Sequence, residues 1–318
     1  MLLTGMPCII YKEIRMERKK YMGFRSGFAA IIGRPNVGKS TLLNLLTGEK
    51  IAIMSDKPQT TRNTIKTIVT TSDYQVVFMD TPGLHRPKNK LGDFMVRSAL
   101  NTLKEVDVIV DLVEAMDKNI GPGDARIIDE LKKVNTPVIL LINKIDLVEK
   151  SRLLPLMEEY SRAMAFEQII PVSALQTQTK DLVMNEIVKL LPEGEPYFPE
   201  DMLTDQPEKV LVQEIIREKI LHLISDEVPH GVGVEVIHFK EKEEKGLLEI
   251  HANIYCEKDS HKGIIIGKNG EMLKKIGSLA RLDAENLLGS KIFLKLWVKT
   301  KEDWRNSDFM LSELGYKN

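Results

Sequence analysis

Gly33-Arg34-Pro35-Asn36-Val37-Gly38-Lys39-Ser40 sets two glycines, a lysine and a hydroxyl at the spacing that encloses a phosphate chain. Glycines let successive backbone N–H groups wrap phosphate oxygens, and the N-terminus of the helix that follows adds a favourable dipole. Lys39 is then placed to reach the β- and γ-phosphates and the Ser40 hydroxyl to hold magnesium, with Thr41 beside them in the first helical turn. The motif lies between an apolar run of strand length and an amphipathic stretch, the context that marks it as a P-loop. Alone, it implies a nucleoside triphosphate and no particular base.

Three further motifs narrow the chemistry. Asp80-Thr81-Pro82-Gly83, followed by Leu84, closes a strand-like run, where an aspartate meets magnesium through water and a glycine amide senses the γ-phosphate. Asn143-Lys144-Ile145-Asp146 follows Val-Ile-Leu-Leu-Ile, again at a strand C-terminus, where α/β sheets place their ligands. A carboxylate there accepts both N1–H and the exocyclic amine of guanine. Adenine offers no such pair and would leave the acid unpaired, so a site of this kind rejects it strongly. Ser173-Ala174-Leu175 offers a backbone N–H to guanine O6. Each short motif is weak by itself, but four in order at four predicted strand ends specify a guanine nucleotide.

The elements that must position these residues alternate in strand and helix. Strands are predicted at 28–32, 66–71, 75–79, 108–113, 138–142 and 168–172, with helical periods at 40–46, 91–103, 125–134, 152–164 and 181–191. This is the pattern of a doubly wound, mostly parallel α/β sheet. A stretch from Pro192 to Pro207 with four prolines and no basic residue reads as a linker. Beyond it come a helix (209–224), two strands (233–239 and 247–255), a glycine-rich helical segment (262–288), a strand (291–298) and a short helical tail, the layout of an α+β domain. The expected division is a leader at 1–21, a nucleotide domain at 22–195, a linker at 196–208 and a second domain at 209–318.

The second domain carries Gly263-Ile264-Ile265-Ile266-Gly267-Lys268-Asn269-Gly270. A GXXG loop that opens a helix clamps about four nucleotides of single-stranded RNA in KH domains. The order helix–strand–strand–helix–GXXG–helix–strand fits the type II KH fold. Lys268, Lys274 and Lys275 supply cations for phosphates, and the three isoleucines are expected to form an apolar floor for bases. Trp297 alternates with Leu296 in a predicted strand and is expected in the core.

The ordered guanine motifs resemble those of translation-factor-class GTPases, and Gln59-Thr60-Thr61-Arg62 with Asp80-Thr-Pro-Gly-Leu84-His85 is similar to Era-like GTPases in particular. The resemblance runs from Phe28 to about Tyr316. It implies a P-loop GTPase domain followed by a type II KH domain, slow hydrolysis of GTP to GDP, and a first switch at Gln59, Thr60, Thr61, Arg62 and Asn63. Thr60 or Thr61 closes over magnesium, with Thr61 favoured beside Ser40 and Asp80. Lys39, Asn36 and Gly83 are the expected catalytic positions. Leu84 stands where Ras-like enzymes carry a water-orienting glutamine. Asn36 resembles the P-loop asparagine of GTPases that use potassium beside the phosphates, with a loop-stabilising role as the alternative. The partners implied are GTP and GDP, the 3′ end of small-subunit (16S) ribosomal RNA and the 30S subunit during its assembly. A monomer in the cytoplasm is expected, with peripheral contact at the inner membrane left open. A single P-loop argues against the double-domain ribosome factor, and the GXXG segment against the tRNA-modifying GTPase.

Bulk properties exclude several classes. With 43% hydrophobic and 29% charged residues and a net charge of −1, the chain reads as an ordinary globular protein whose RNA footprint must be local. No apolar run approaches the about 18 residues of a membrane span. Cys8 and Cys256 form no metal spacing, and the histidines are scattered. Residues 1–21 add nothing to either domain, and the expectation is a start at Met22. A basic arm through Arg15, Arg18, Lys19 and Lys20 is the competing reading.

Overall fold

The computed structural model describes residues 23–48, 61–62, 64–84, 86–225, 228–242 and 246–316. Residues 1–22, and with them Cys8 and the Met22 start, lie outside the described residues, as do Gln59, Thr60, Asn63 and His85.

The first half is a six-stranded sheet. Strands β1 (Arg25–Gly33), β2 (Ile65–Thr70), β3 (Tyr74–Asp80), β4 (Val108–Glu114), β5 (Val138–Asn143) and β6 (Gln168–Pro171) lie in the order β2-β3-β1-β4-β5-β6. All pairings are parallel except β2 with β3. Helices α1 (Lys39–Thr47), α2 (Lys90–Thr102), α3 (Pro122–Leu131), α4 (Leu153–Ala163) and α5 (Gln178–Leu190) cover both faces. The period of two along β1 shows how: Ala29 and Ile31 join the cluster under α1 and α5, while Ala30 and Ile32 join the one under α3. Strands buried on both faces read as continuous apolar runs, which is why they were legible. The parallel strands end together at the edge where the nucleotide motifs sit.

The stretch expected to be a linker is tied down along the edge of this sheet. The Gln75 amide bonds Tyr197 N, Phe198 N and Phe198 O. Leu203 O accepts from Ile68 N, Thr204 Oγ1 donates to Lys66 O, and Asp205 pairs with Lys66 at 3.0 Å. Prolines remove backbone donors, yet the remaining polar groups find partners on β2 and β3.

The second half has helix α6 (Glu208–Leu223) and a sheet of β7 (Gly233–Lys242), β8 (Leu247–Cys256) and β9 (Lys291–Thr300) in that order. β7 and β8 are antiparallel, β8 and β9 parallel. The predicted helical segment 262–288 is two helices, α7 (Asp259–Ile266) and α8 (Glu271–Leu288), broken at Gly267 (φ 72°), Asn269 (φ 53°) and Gly270 (φ 79°). A short α9 (Asp308–Glu313) follows. The two halves share an apolar cluster in which Leu91, Phe94 and Met95 of α2 pack with Tyr255, Trp304, Met310, Leu311, Leu314 and Tyr316.

Candidate nucleotide site and RNA groove

The P-loop turns between β1 and α1 on positive-φ positions. Gly33 has φ 140°, and a Cβ there would lie 2.4 Å from Leu112 O; Gly38 has φ 102°, and its Cβ would lie 2.4 Å from Asn143 Nδ2. Asn36 adopts φ 69° at the exposed tip. Lys39 is buried, and its Nζ donates to Gly33 O (3.1 Å) and Arg34 O (2.8 Å). Burial lowers the Lys39 ammonium to about 8, against the pull of Asp80 and Asp111. The Arg34 guanidinium turns to Asp124 (2.8 Å) in the first turn of α3 and to Asp117 in the loop after β4. Pro35 packs against Gly83, whose added Cβ would meet the Pro35 nitrogen at 3.2 Å. Val37 is fully buried, and its carbonyl accepts from Asn143 Nδ2.

Three oxygen-bearing side chains converge beside Lys39. Thr61 Oγ1 donates to Asp80 Oδ2 at 3.0 Å and lies 3.4 Å from Ser40 Oγ. Asp80 is fully buried and pushed up to about 6 by desolvation, while Lys39 and the Thr61 hydrogen bond pull it down. Its Oδ1 has no hydrogen-bond partner among the described residues. A hard, oxygen-only donor set with one orphaned carboxylate oxygen fits magnesium. The Thr81 hydroxyl donates to Ile31 O, locking the end of β3 to β1. Leu84 packs against the apolar cluster of Ile32 and Ala30 and presents no polar group.

At the base end, Asn143 works as a brace: it donates to Val37 O and accepts from Ala174 N at 2.9 Å. Lys144 (φ 65°) donates to Asn36 O and pairs with Glu114. Ile145 packs against the cluster under α4, leaving Asp146 exposed in the turn Ile145–Leu147. Ala174 N is engaged by Asn143, whereas Leu175 N makes a 3.4 Å contact to Ser173 Oγ.

One residue, Asp111, and the partners of another, Arg62, were missed in the sequence. Asp111, an acid inside the apolar run of β4, is fully buried with both oxygens unpartnered among the described residues, and desolvation raises it to about 7. Its signal was a charge in a run otherwise apolar from Val108 to Val113. Arg62, next to the magnesium-side Thr61, is 1% exposed and enters the second half of the molecule. Its Nη1 donates to Val232 O (2.6 Å) and Nη2 to His230 O (3.0 Å), and its guanidinium lies 5.7 Å from the Trp304 ring centre. Desolvation outweighs the other influences and lowers its pKa, an effect to which Arg217 also contributes. No local motif announces these partners.

In the second half, the loop Gly267-Lys268-Asn269-Gly270 reaches, through Gly270, a groove of about 530 Å³ between α8 and β9. Gly270, Leu273, Lys274, Arg281, Phe293 and Leu296 are among its lining residues. Lys268 is exposed at the loop and Lys275 is exposed outside the lining. The isoleucine floor is corrected: Ile265 is fully buried in the core, Ile266 packs against that core, and only Ile264 is exposed. Gly263 lies inside α7, accepting from Gly267 N. The apolar lining of the groove comes from Leu273 of α8 and Leu294 and Leu296 of β9. Trp297 is also corrected, being 37% exposed on β9, whereas Trp304 is the buried indole.

Residues 28–144 match the family described as 50S ribosome-binding GTPase, and residues 227–305 match the KH domain family. The chain is 60% identical over 298 residues to GTPase Era of Ruminiclostridium cellulolyticum, covering 93% of this chain and 99% of that one. It is 56% identical to GTPase Era of Thermoanaerobacter sp., covering 93% and 97%. Among solved structures, Aquifex aeolicus Era bound to GDP and AlF4− superposes with a TM-score of 0.89 at 40% identity, covering 93% of this chain and 100% of that one. Era in complex with MgGDPNP and nucleotides 1506–1542 of 16S ribosomal RNA superposes equally well, at the same identity and coverage.

Proposed function

From the premise that this chain belongs to the Era family of GTPases, we propose that it is a nucleotide-controlled clamp on the 3′ region of small-subunit ribosomal RNA. In this reading it assists assembly of the 30S subunit. One observation carries the control: consecutive residues of the first switch serve both halves of the molecule. Thr61 lies on the Ser40–Asp80 oxygen cluster, and Arg62 is buried on carbonyls of the KH half. Thr61 and Arg62 are one peptide unit apart, about 3.8 Å between Cα atoms, so a nucleotide that repositions Thr61 acts directly beside the Arg62 anchor.

In the nucleotide site, Asp146 accepts the guanine N1–H and amine, and Leu175 N–H donates to O6. Backbone N–H groups of Gly33 to Ser40 and Thr41 surround the phosphates, and Lys39 exchanges its carbonyl partners for β- and γ-oxygens. Ser40, Thr61 and Asp80 would hold magnesium, which when bound supplies charge neutralisation at the β,γ-bridge. The Gly83 amide faces the γ-phosphate beside Pro35. Leu84 offers no polar group to orient water, and Asn36 would hold a potassium ion, which when bound would supply positive charge beside the phosphates. Gln59, Thr60 and Asn63 complete the switch.

In the KH half, Lys268 and Lys274 meet the RNA backbone, with bases lying against Leu273, Leu296 and Ile264, and Lys275 adds charge nearby. The domain boundaries of this reading are 22–195, 196–208 and 209–318. The finer parts of the reading are a monomer, a cytoplasmic location and peripheral contact with the inner membrane. The test is RNA titration in two nucleotide states. Affinity for the 16S 3′ segment should differ between GDPNP–Mg and GDP in the natural protein and converge in Arg62→Ala. Equal affinity in both states for the natural protein would end the switch reading.

A further inference from the structure

The KH sheet has a second face. Helices α6 and α8 cover one side, where Val236, Ile250, Ala252 and Ile292 enter the core. Strand register fixes what stands on the other side: His238 opposite His251 and Lys295, Lys240 opposite Glu249 and Phe293, and Lys242 opposite Leu247 and Lys291. Toward its lower end this face is covered, because Tyr255 is buried against Trp304 and the C-terminal turn. The rest is open, with Phe293 47% and Trp297 37% exposed.

The open face interleaves aromatic rings and cations. Lys295 Nζ stands 5.5 Å from the Trp297 ring centre. His251 meets Trp297 edge-on at 5.4 Å and lies against His238 at 4.8 Å. Of the acids on this face, Glu235 accepts from the Tyr255 hydroxyl at 2.6 Å, and Glu249 is engaged by Lys242 (2.5 Å) and His251 (3.1 Å). Lys240, Lys291 and Lys295 are exposed around it. The face is continuous with the RNA groove, because Phe293 and Lys295 of the edge strand β9 line that groove as well. From Phe293 to Trp297 the strand advances about 13 Å.

We infer that this outer face is a second RNA platform, on which single-stranded RNA leaving the groove turns around the β9 edge and stacks its bases on Phe293 and Trp297. Lys295, Lys240 and Lys291 face its phosphates. Half-exposed rings flanked by cations bind unpaired bases without regard to sequence, and a duplex would offer no free base plane. The inference rests on the reading that the GXXG groove holds RNA, and the two are separable by experiment.

The test uses the full chain, fluorescence anisotropy, the 1506–1542 segment of 16S ribosomal RNA and fragments shortened stepwise from either end. Trp297→Ala should bind the shortest retained fragment like the natural protein and lose about 5- to 100-fold on the longest. Trp297→Phe should recover most of that loss, as a purely structural role for the indole would not. The exposed Trp297 fluorescence should be quenched by the long RNA and not by the short one. Lys268→Asp with Asn269→Asp should weaken every length. If Trp297→Ala matches the natural protein at all lengths while the groove variant fails, the platform is refuted and the groove stands. If the groove variant binds normally, the groove reading falls and the platform's premise with it. Loss of binding to phosphatidylglycerol vesicles in Trp297→Ala, with RNA binding intact, would make the face a lipid contact and overturn the proposal.

Discussion

Removing the Arg62 side chain should loosen the KH half from the nucleotide half. Arg62→Ala deletes two charge-assisted hydrogen bonds, at 2.6 and 3.0 Å, to the carbonyls of Val232 and His230. Such bonds contribute about 1.5–3 kcal/mol each, and the contact with the Trp304 face adds about 0.5–2 kcal/mol. Against this stands relief from burying a guanidinium whose Nε has no partner among the described residues and which lies near Arg217. Taking several kcal/mol of desolvation as the offset, the net loss is about 2–4 kcal/mol, or about 30- to 1,000-fold in the ratio of docked to undocked molecules. Hydrogen exchange read by mass spectrometry reports it directly. Peptides covering 228–236 should exchange faster in nucleotide-free Arg62→Ala by a factor in that range, with β1 and β4 peptides unchanged. Arg62→Lys, able to reach one carbonyl, should fall between. Natural exchange at 228–236 in Arg62→Ala would refute the argument that this side chain holds the halves together.

Three further outcomes follow from the nucleotide half. Asp146→Asn should lose GTP affinity by at least 100-fold and gain xanthosine triphosphate, because an amide complements a carbonyl where guanine has an amine; competition titration reads both, and ATP binding as tight as GTP in the natural protein would remove the guanine assignment. Hydrolysis should be stimulated by potassium and not by sodium at matched ionic strength, and the stimulation should vanish in Asn36→Ala; equal phosphate release in the two salts would dismiss the cation. Asp111 is raised from 3.8 to about 7 by burial, so between those values the folded state holds a proton that the unfolded state has released, and stability falls as pH rises through that window. Asp111→Asn should abolish that part of the slope and raise nucleotide-free stability at pH 8 by on the order of 4 kcal/mol in urea denaturation; an unchanged slope between pH 4 and 7 would contradict it.

What could be read from the sequence was what is local. The P-loop, Asp80, Asn143 and Asp146 sit at strand ends, and a strand buried on both faces advertises itself as an apolar run. Ser40 and Asp80 were expected together from motif chemistry, and the resemblance added Thr60 or Thr61; Ser40 and Asp80 meet through the hydroxyl of Thr61. Arg62 was seen as a switch residue, but its partners are carbonyls about 170 positions downstream, which no periodicity encodes. Trp297 was misread because β9 is an edge strand with one open face, where alternation places an apolar residue outward as readily as inward. The isoleucine run failed for a related reason. A helix turns Ile264, Ile265 and Ile266 about 100° apart, so three consecutive apolar residues cannot share one floor, and of the three Ile265 alone is fully buried.

Coupling between the two sites is reciprocal: whatever factor GDPNP imposes on RNA affinity, RNA must impose on GDPNP affinity. The deciding measurement is the affinity of the natural protein for GDPNP–Mg with and without saturating 16S 3′ segment, set beside the same pair for GDP. The account predicts that RNA shifts the two nucleotides' affinities by different factors, that their ratio equals the ratio of RNA affinities in the two nucleotide states, and that both collapse toward unity in Arg62→Ala. RNA that leaves the GDPNP-to-GDP preference untouched in the natural protein would contradict it.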